Sequence, residues 1–182
     1  MTSTKRATKK PRAQAGFTLI ETMMAIAVLM FGILGLAAML GDSLAYMQGS
    51  QDDFIAQQKA QQAMEAIFTA KFTGNQQWSA IQNAPNGIFL NGPQPILQPG
   101  SDGLVGTAAD SGAAADYILQ PGTDMKLGTA DDIKLPLTNF TRTITISNIN
   151  GETLVRTITV TVNYQAGRFT RNYSLTSEIS AF

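Results

Sequence analysis

Gly16-Phe17-Thr18-Leu19-Ile20-Glu21 is followed by twenty residues, Thr22 to Gly41, that carry no charge, and Asp42 is the first charge after Glu21. At 1.5 Å per residue, about 20 helical residues cover the ~30 Å hydrocarbon core of a bilayer. The stretch therefore predicts a membrane-spanning helix. Glu21 is the anomaly within it. A carboxylate in an apolar block costs about 2.5–3.5 kcal/mol at mid-depth, so an acid here reads as functional by default. Lys5, Arg6, Lys9, Lys10 and Arg12 all precede Gly16, and no acid does. By the positive-inside rule this leader stays cytoplasmic and the C-terminal bulk faces outward.

A basic leader, then Gly-Phe-Thr-Leu-Ile-Glu, then an apolar run resembles the processing site of type IV prepilins and of type II secretion pseudopilins. The resemblance implies that a prepilin peptidase cuts between Gly16 and Phe17 and that the new N-terminus, Phe17, is N-methylated. It also implies that Glu21 meets the N-terminal ammonium of a neighbouring subunit during assembly. Two ions that are expensive alone in lipid become tolerable as a pair. An ordinary secretory signal places its small-residue cleavage site after the apolar region, whereas Ala13-Gln14-Ala15 precedes it here. Farther on, Gly32-Ile33-Leu34-Gly35-Leu36-Ala37 resembles the PilV group of minor pilins, the type IV pilus modification proteins.

Composition bounds what the rest can do. The 182 residues hold thirteen basic and thirteen acidic side chains. Five of the basic ones lie in residues 1–16, so the chain after Gly16 keeps eight against thirteen, a net of −5. Such a balance disfavours a general nucleic-acid-binding surface, which is usually basic. There is no cysteine, so the exported part is held by its core or by a metal, without a disulfide. There is no histidine either, which removes Ser-His-Asp and Cys-His catalysis and His-ligated zinc. No pair of acids sits in a recognisable catalytic motif, and the chain is expected not to be an enzyme.

Five segments follow: a basic leader removed at 1–16, an apolar helix half at 17–41, an amphipathic half at 42–72, a Gly/Pro-rich region at 73–137 and a β-meander at 138–182. No proline occurs between Phe17 and Pro85, so one helix is predicted from about Thr18 to about Phe72. In its second half Leu44, Met47, Phe54, Ala60, Met64, Ile67, Phe68 and Phe72 recur at near-helical spacings, with glutamines and charges between them. Gly32, Gly35 and Gly41 interrupt the first half and read as close-packing positions between helices. Trp78 is expected to anchor the helix end against the sheet.

The Gly/Pro-rich region contains a repeat. Pro99-Gly100-Ser101-Asp102-Gly103-Leu104-Val105-Gly106-Thr107-Ala108-Ala109-Asp110 aligns with Pro121-Gly122-Thr123-Asp124-Met125-Lys126-Leu127-Gly128-Thr129-Ala130-Asp131-Asp132. Calcium takes six to eight oxygens from flexible loops, which makes Asp102, Asp110, Asp124, Asp131 and Asp132 candidate Ca²⁺ ligands. Asx and glycine turns that need no metal account for the same residues.

The tail alternates. Phe140, Ile144 and Ile146, then Leu154, Ile158, Val160, Val162 and Tyr164, set an even apolar face on two strands. On the third strand the odd set, Phe169, Tyr173, Leu175 and Ile179, takes that face. Pairing even with even requires an odd loop, for which Ile149-Asn150-Gly151 serves as a three-residue turn with Gly151 in the left-handed region. Pairing even with odd requires an even loop, for which Gln165–Arg168 or Ala166-Gly167 serves. Arg142, Arg156 and Arg171 fall on the apolar parity and are expected to snorkel at the sheet margin.

The predicted fold class is α+β: a long N-terminal helix whose outer half packs on a small C-terminal antiparallel β-sheet, a pilin-like plan. The expected function is that of a minor type IV pilin, a structural subunit that primes, tips or modifies the fibre. A minor pseudopilin of type II secretion and a membrane-anchored binding domain are the competing readings. Implied partners are prepilin peptidase, other major and minor pilins and the assembly platform. The implied location is the inner membrane, crossed once, before transfer to a pilus or periplasmic pseudopilus.

Overall fold

The computed structural model describes residues 16–149, 151–166 and 169–182. The expected leader at 1–15, Asn150 of the first turn, and Gly167 and Arg168 of the second lie outside the described residues. The chain is α+β. A single long helix, α1 (Leu19–Phe72), is followed by β1 (Gln94–Pro95), β2 (Tyr117–Gln120), β3 (Ile133–Pro136), β4 (Phe140–Asn148), β5 (Val155–Ala166) and β6 (Phe169–Ser180). Single 3₁₀ turns lie at Trp78–Ala80 and Ala108–Asp110. Two compact units divide it: the first ends at Leu44 and the second runs Ala45–Phe182.

In the first unit the helix begins one residue later than the sequence predicts, because Thr18 caps it. The Glu21 amide donates to the Thr18 carbonyl at 3.1 Å and to its Oγ1 at 3.4 Å. A threonine at this place satisfies an amide that has no partner within the helix. From Phe17 to Leu44 the apolar side chains are exposed on every side, and the helix is long and apolar enough to cross a membrane. A helix apolar all round is built for lipid or for other helices. A Cβ added at Gly32, Gly35 or Gly41 would meet nothing within 4 Å in this chain. Packing inside the chain therefore gives no reason for those glycines, which favours the helix-to-helix reading.

In the second unit β1, β4, β5 and β6 form an antiparallel sheet in that order, and β2 and β3 pair as a separate ribbon. The predicted parities hold: Phe140 faces Tyr164 across β4–β5, and Tyr164 faces Arg171 across β5–β6. The loops differ in position. The β4–β5 ladder ends on Asn148↔Arg156, so the odd loop is longer than three residues, although Gly151 does sit at φ +84°. The Glu152 amide bonds the Ile149 carbonyl at 2.8 Å. The β5–β6 ladder closes on Ala166↔Phe169, leaving two residues between the strands rather than the Ala166-Gly167 pair.

The helix meets the sheet through a seam of small residues. Ala56, Ala60 and Ala63 are 0% exposed, and Ile67 and Ala70 extend the same four-three spacing. Opposite them lie Ile158, Val160 and Val162 of β5 in one core with Phe89, Ile96, Leu104 and Leu137 from the loops. Leu44, Met47, Phe54 and Phe72, expected on the buried stripe, are instead exposed. Phe169 and Leu154, expected on the buried face, are exposed as well, at the first residue of β6 and just before β5.

Two arginines depart further from expectation. Arg142 and Arg156 are buried, 2% and 4% exposed, instead of reaching out at the sheet margin. Arg156 donates to the carbonyls of Trp78 and Ile81, and its guanidinium carbon stands 4.1 Å from the centre of the Trp78 ring. Trp78 Nε1 in turn donates to the Thr153 carbonyl at 2.8 Å, so this indole ties the segment after the helix to the β4–β5 loop.

Candidate functional site

Three groups of residues bear on function. The first is Gly16, Phe17 and Glu21 at the start of α1. Gly16 and Phe17 are exposed and lie outside the helix, and Glu21 is in its first turn. Among the described residues a Cβ at Gly16 would meet nothing within 4 Å, and Gly16 does not adopt the left-handed backbone region. Neither space among the described residues nor backbone conformation selects glycine there.

The second group is the repeat, whose two copies are built alike. In the first, Asp110 accepts the amides of Gly100 at 2.9 Å, Gly106 at 2.5 Å and Thr107 at 3.3 Å. In the second, Asp132 accepts those of Gly128 at 2.7 Å and Thr129 at 3.2 Å. Asp102 takes the Leu104 amide at 3.0 Å and Asp124 takes that of Lys126 at 2.9 Å. Asp131 accepts Thr129 Oγ1 at 2.7 Å and Thr123 Oγ1 at 2.9 Å, and these bonds hold its carboxyl down at about 2. Gly100 and Gly122 share a role: a Cβ at either would come within 2.3 Å of the carbonyl oxygen of Ala109 or Asp131. The five candidate calcium ligands thus turn their carboxylates onto amides and hydroxyls of their own loops. Among the described residues no three acidic side chains converge where a metal ion would fit.

The third group was not legible in the sequence. Between α1 and the start of β6 an open groove of about 620 Å³ is lined by Asp53, Phe54 and Gln57 on one side and by Arg171 and Tyr173 on the other. Tyr164 donates its hydroxyl to Asp53 Oδ1 at 2.6 Å, and Arg171 Nη1 reaches Asp53 Oδ2 at 3.0 Å. The Tyr164 hydrogen bond, aided by Arg171, lowers the Asp53 carboxyl below the usual range. Burial, then the Asp53 charge, pushes the Tyr164 phenol up to about 12. Asp52 beside it moves up, first through burial and then through repulsion by Asp53.

A deeper polar cluster joins helix, loop and sheet. Lys59, 8% exposed, bonds Asp116 at 2.5 Å. Arg142 lies near Asp110 and Asp116, and burial pushes its guanidinium down to about 10 against their pull, leaving it charged at neutral pH. Its Nε and Nη2 find no hydrogen-bond partner among the described residues. Nothing in the spacing of these residues announces the cluster, because Lys59 lies 57 residues before Asp116 and Arg142 comes from a third segment.

Residues 11–37 match the family model of the prokaryotic N-terminal methylation motif. That match spans the expected cleavage site and the first part of α1, and supports a type IV pilin-like or pseudopilin-type subunit processed by a prepilin peptidase and assembled with other pilins. With the apolar helix it also supports anchoring in a membrane before assembly. No curated protein and no solved structure matches the chain.

Proposed function

We propose that the chain is a minor subunit of a type IV pilus, one that primes, tips or modifies the fibre in the manner of PilV-type proteins. The observation that carries this reading is Gly16: a glycine that no contact among the described residues requires, directly before Phe17 and the capped start of an apolar helix. Cleavage between Gly16 and Phe17, followed by N-methylation, leaves an ammonium at Phe17 one helical turn from Glu21. Within one chain such an exposed pair is worth tenths of a kcal/mol. Between subunits in a dry fibre core, removing one member leaves the other charge buried alone and costs about 3–5 kcal/mol. Glu21 then serves to dock the subunit onto other pilins, on an assembly platform at the inner membrane, with the C-terminal unit facing outward. The Gly32-to-Ala37 segment supports the PilV assignment.

The test combines processing and assembly. Mass spectrometry of sheared filaments should find a chain that begins at methylated Phe17. Glu21→Ala should keep its cleavage and its level in membranes while disappearing from filaments. An intact leader on filament-borne protein, or normal incorporation of Glu21→Ala, would defeat the reading.

A further inference from the structure

We propose that the groove between α1 and β6 is a binding site for a neutral oligosaccharide. Its volume, about 620 Å³, lies within the range of small-molecule sites. Its charges are already matched: Asp53 faces Arg171 at 3.0 and 3.3 Å and takes the Tyr164 hydroxyl at 2.6 Å. An anionic or cationic ligand would have to break that pair to gain a partner. A neutral one leaves it standing and can still use the free edges of both groups.

What remains in the lining suits a sugar. Phe54 is 67% exposed and Tyr173 half-buried, so the groove presents aromatic carbon to solvent beside its polar lining. The C–H face of a pyranose is apolar and packs on such a ring, while its rim of hydroxyls needs donors and acceptors close by. Ser50, Gln57 and Asn172 supply a hydroxyl and two amides, each able both to donate and to accept. An apolar peptide or a neighbouring helix would leave those amides and the ion pair without solvent or partners, at a loss for each. This site does not depend on the pilus reading, since it uses only residues of the second unit.

The experiment uses the purified full chain in a sugar-free detergent, with maltotriose, cellotriose and tri-N-acetylchitotriose as probes and trigalacturonate as the anionic control. Ligand-observed NMR and calorimetry should detect at least one neutral trisaccharide with a Kd of ~1 mM or tighter and no binding of the anion. Phe54→Ala and Gln57→Ala should each weaken it about tenfold without moving the melting temperature, as expected for exposed side chains at a binding site. Tyr173→Phe, which keeps the ring, should bind as the natural chain does. The site is disproved by silence of all three sugars up to ~10 mM, by preference for trigalacturonate, or by equal binding in Phe54→Ala. If Phe54→Ala loses filament incorporation but not sugar binding, the groove is a subunit contact and the proposal fails while the pilus reading stands.

Discussion

Residues 99–110 and 121–132 make the same turn in opposite surroundings. Both copies put a left-handed residue at the fifth position, Gly103 at φ +70° and Met125 at φ +58°, and a left-handed glycine at the eighth, Gly106 at +77° and Gly128 at +88°. Both close on a carboxylate at the twelfth. Yet Leu104, Val105 and Asp110 of the first are buried in the core, while Met125 and Leu127 of the second are exposed, 84% and 63%. Short-range hydrogen bonds therefore specify the backbone, and they do so without help from burial. Placement is decided by two side chains: Leu104-Val105 enters the core, whereas Lys126-Leu127 cannot, because the lysine would have to follow.

The comparison is most easily broken at its last position. Asp110→Ala strands amides in a buried loop and takes a counter-charge from Arg142, so it should cost about 2–4 kcal/mol in urea unfolding. Asp132→Ala, with its amides open to water, should cost about 1 kcal/mol or less. Equal losses would mean that burial does not separate the copies. A smaller effect lies at the left-handed position. Met125→Gly should raise stability by about 0.5–1 kcal/mol through relief of backbone strain, and Gly103→Met should lower it by about 1 kcal/mol, since open space surrounds Gly103.

Acid should open the exposed copy. The Asp131 carboxyl, held at about 2 by Thr129 and Thr123, lies below its ordinary value of about 3.9. Its contribution is complete above about pH 4 and is lost as pH falls through about 2. Hydrogen exchange at the Asp124 amide, which donates to Asp131 at 3.2 Å, should accelerate over that window. The smallest expected effect is that of calcium. With their oxygens taken by amides and hydroxyls, the two loops should melt alike in chelator and in millimolar calcium. A rise in melting temperature with calcium would instead show a site that binds only the folded state.

The sheet was legible because alternation fixes which face is buried, and parity then fixes whether a loop is odd or even. Loop length was not, since ladder ends depend on bonds such as Ile149–Glu152 that no pattern reveals. The helix was legible in extent but not in its buried line. Large residues drew the expectation to Phe54 and Phe72, whereas the line that is fully buried is Ala56, Ala60 and Ala63. The N-terminal methylation motif, matched over residues 11–37, was legible because it is short and contiguous. The groove and the Lys59–Asp116–Arg142 cluster could not, because each is assembled from segments distant along the chain.

The outward face of the sheet is a sharp contrast to that alanine line. It carries Thr143, Thr145, Thr159, Thr161, Ser174 and Thr176, and Thr159 and Thr161 exchange 3.0 Å hydrogen bonds with Thr176 and Ser174 across the strands. None of these side chains reaches the core, so most polar replacements there should leave the fold intact. Descendants of this protein are thus free to redraw that surface, while the alanines beneath it hold the architecture still. Divergence should run fastest on the hydroxyl face and slowest at Ala56, Ala60 and Ala63.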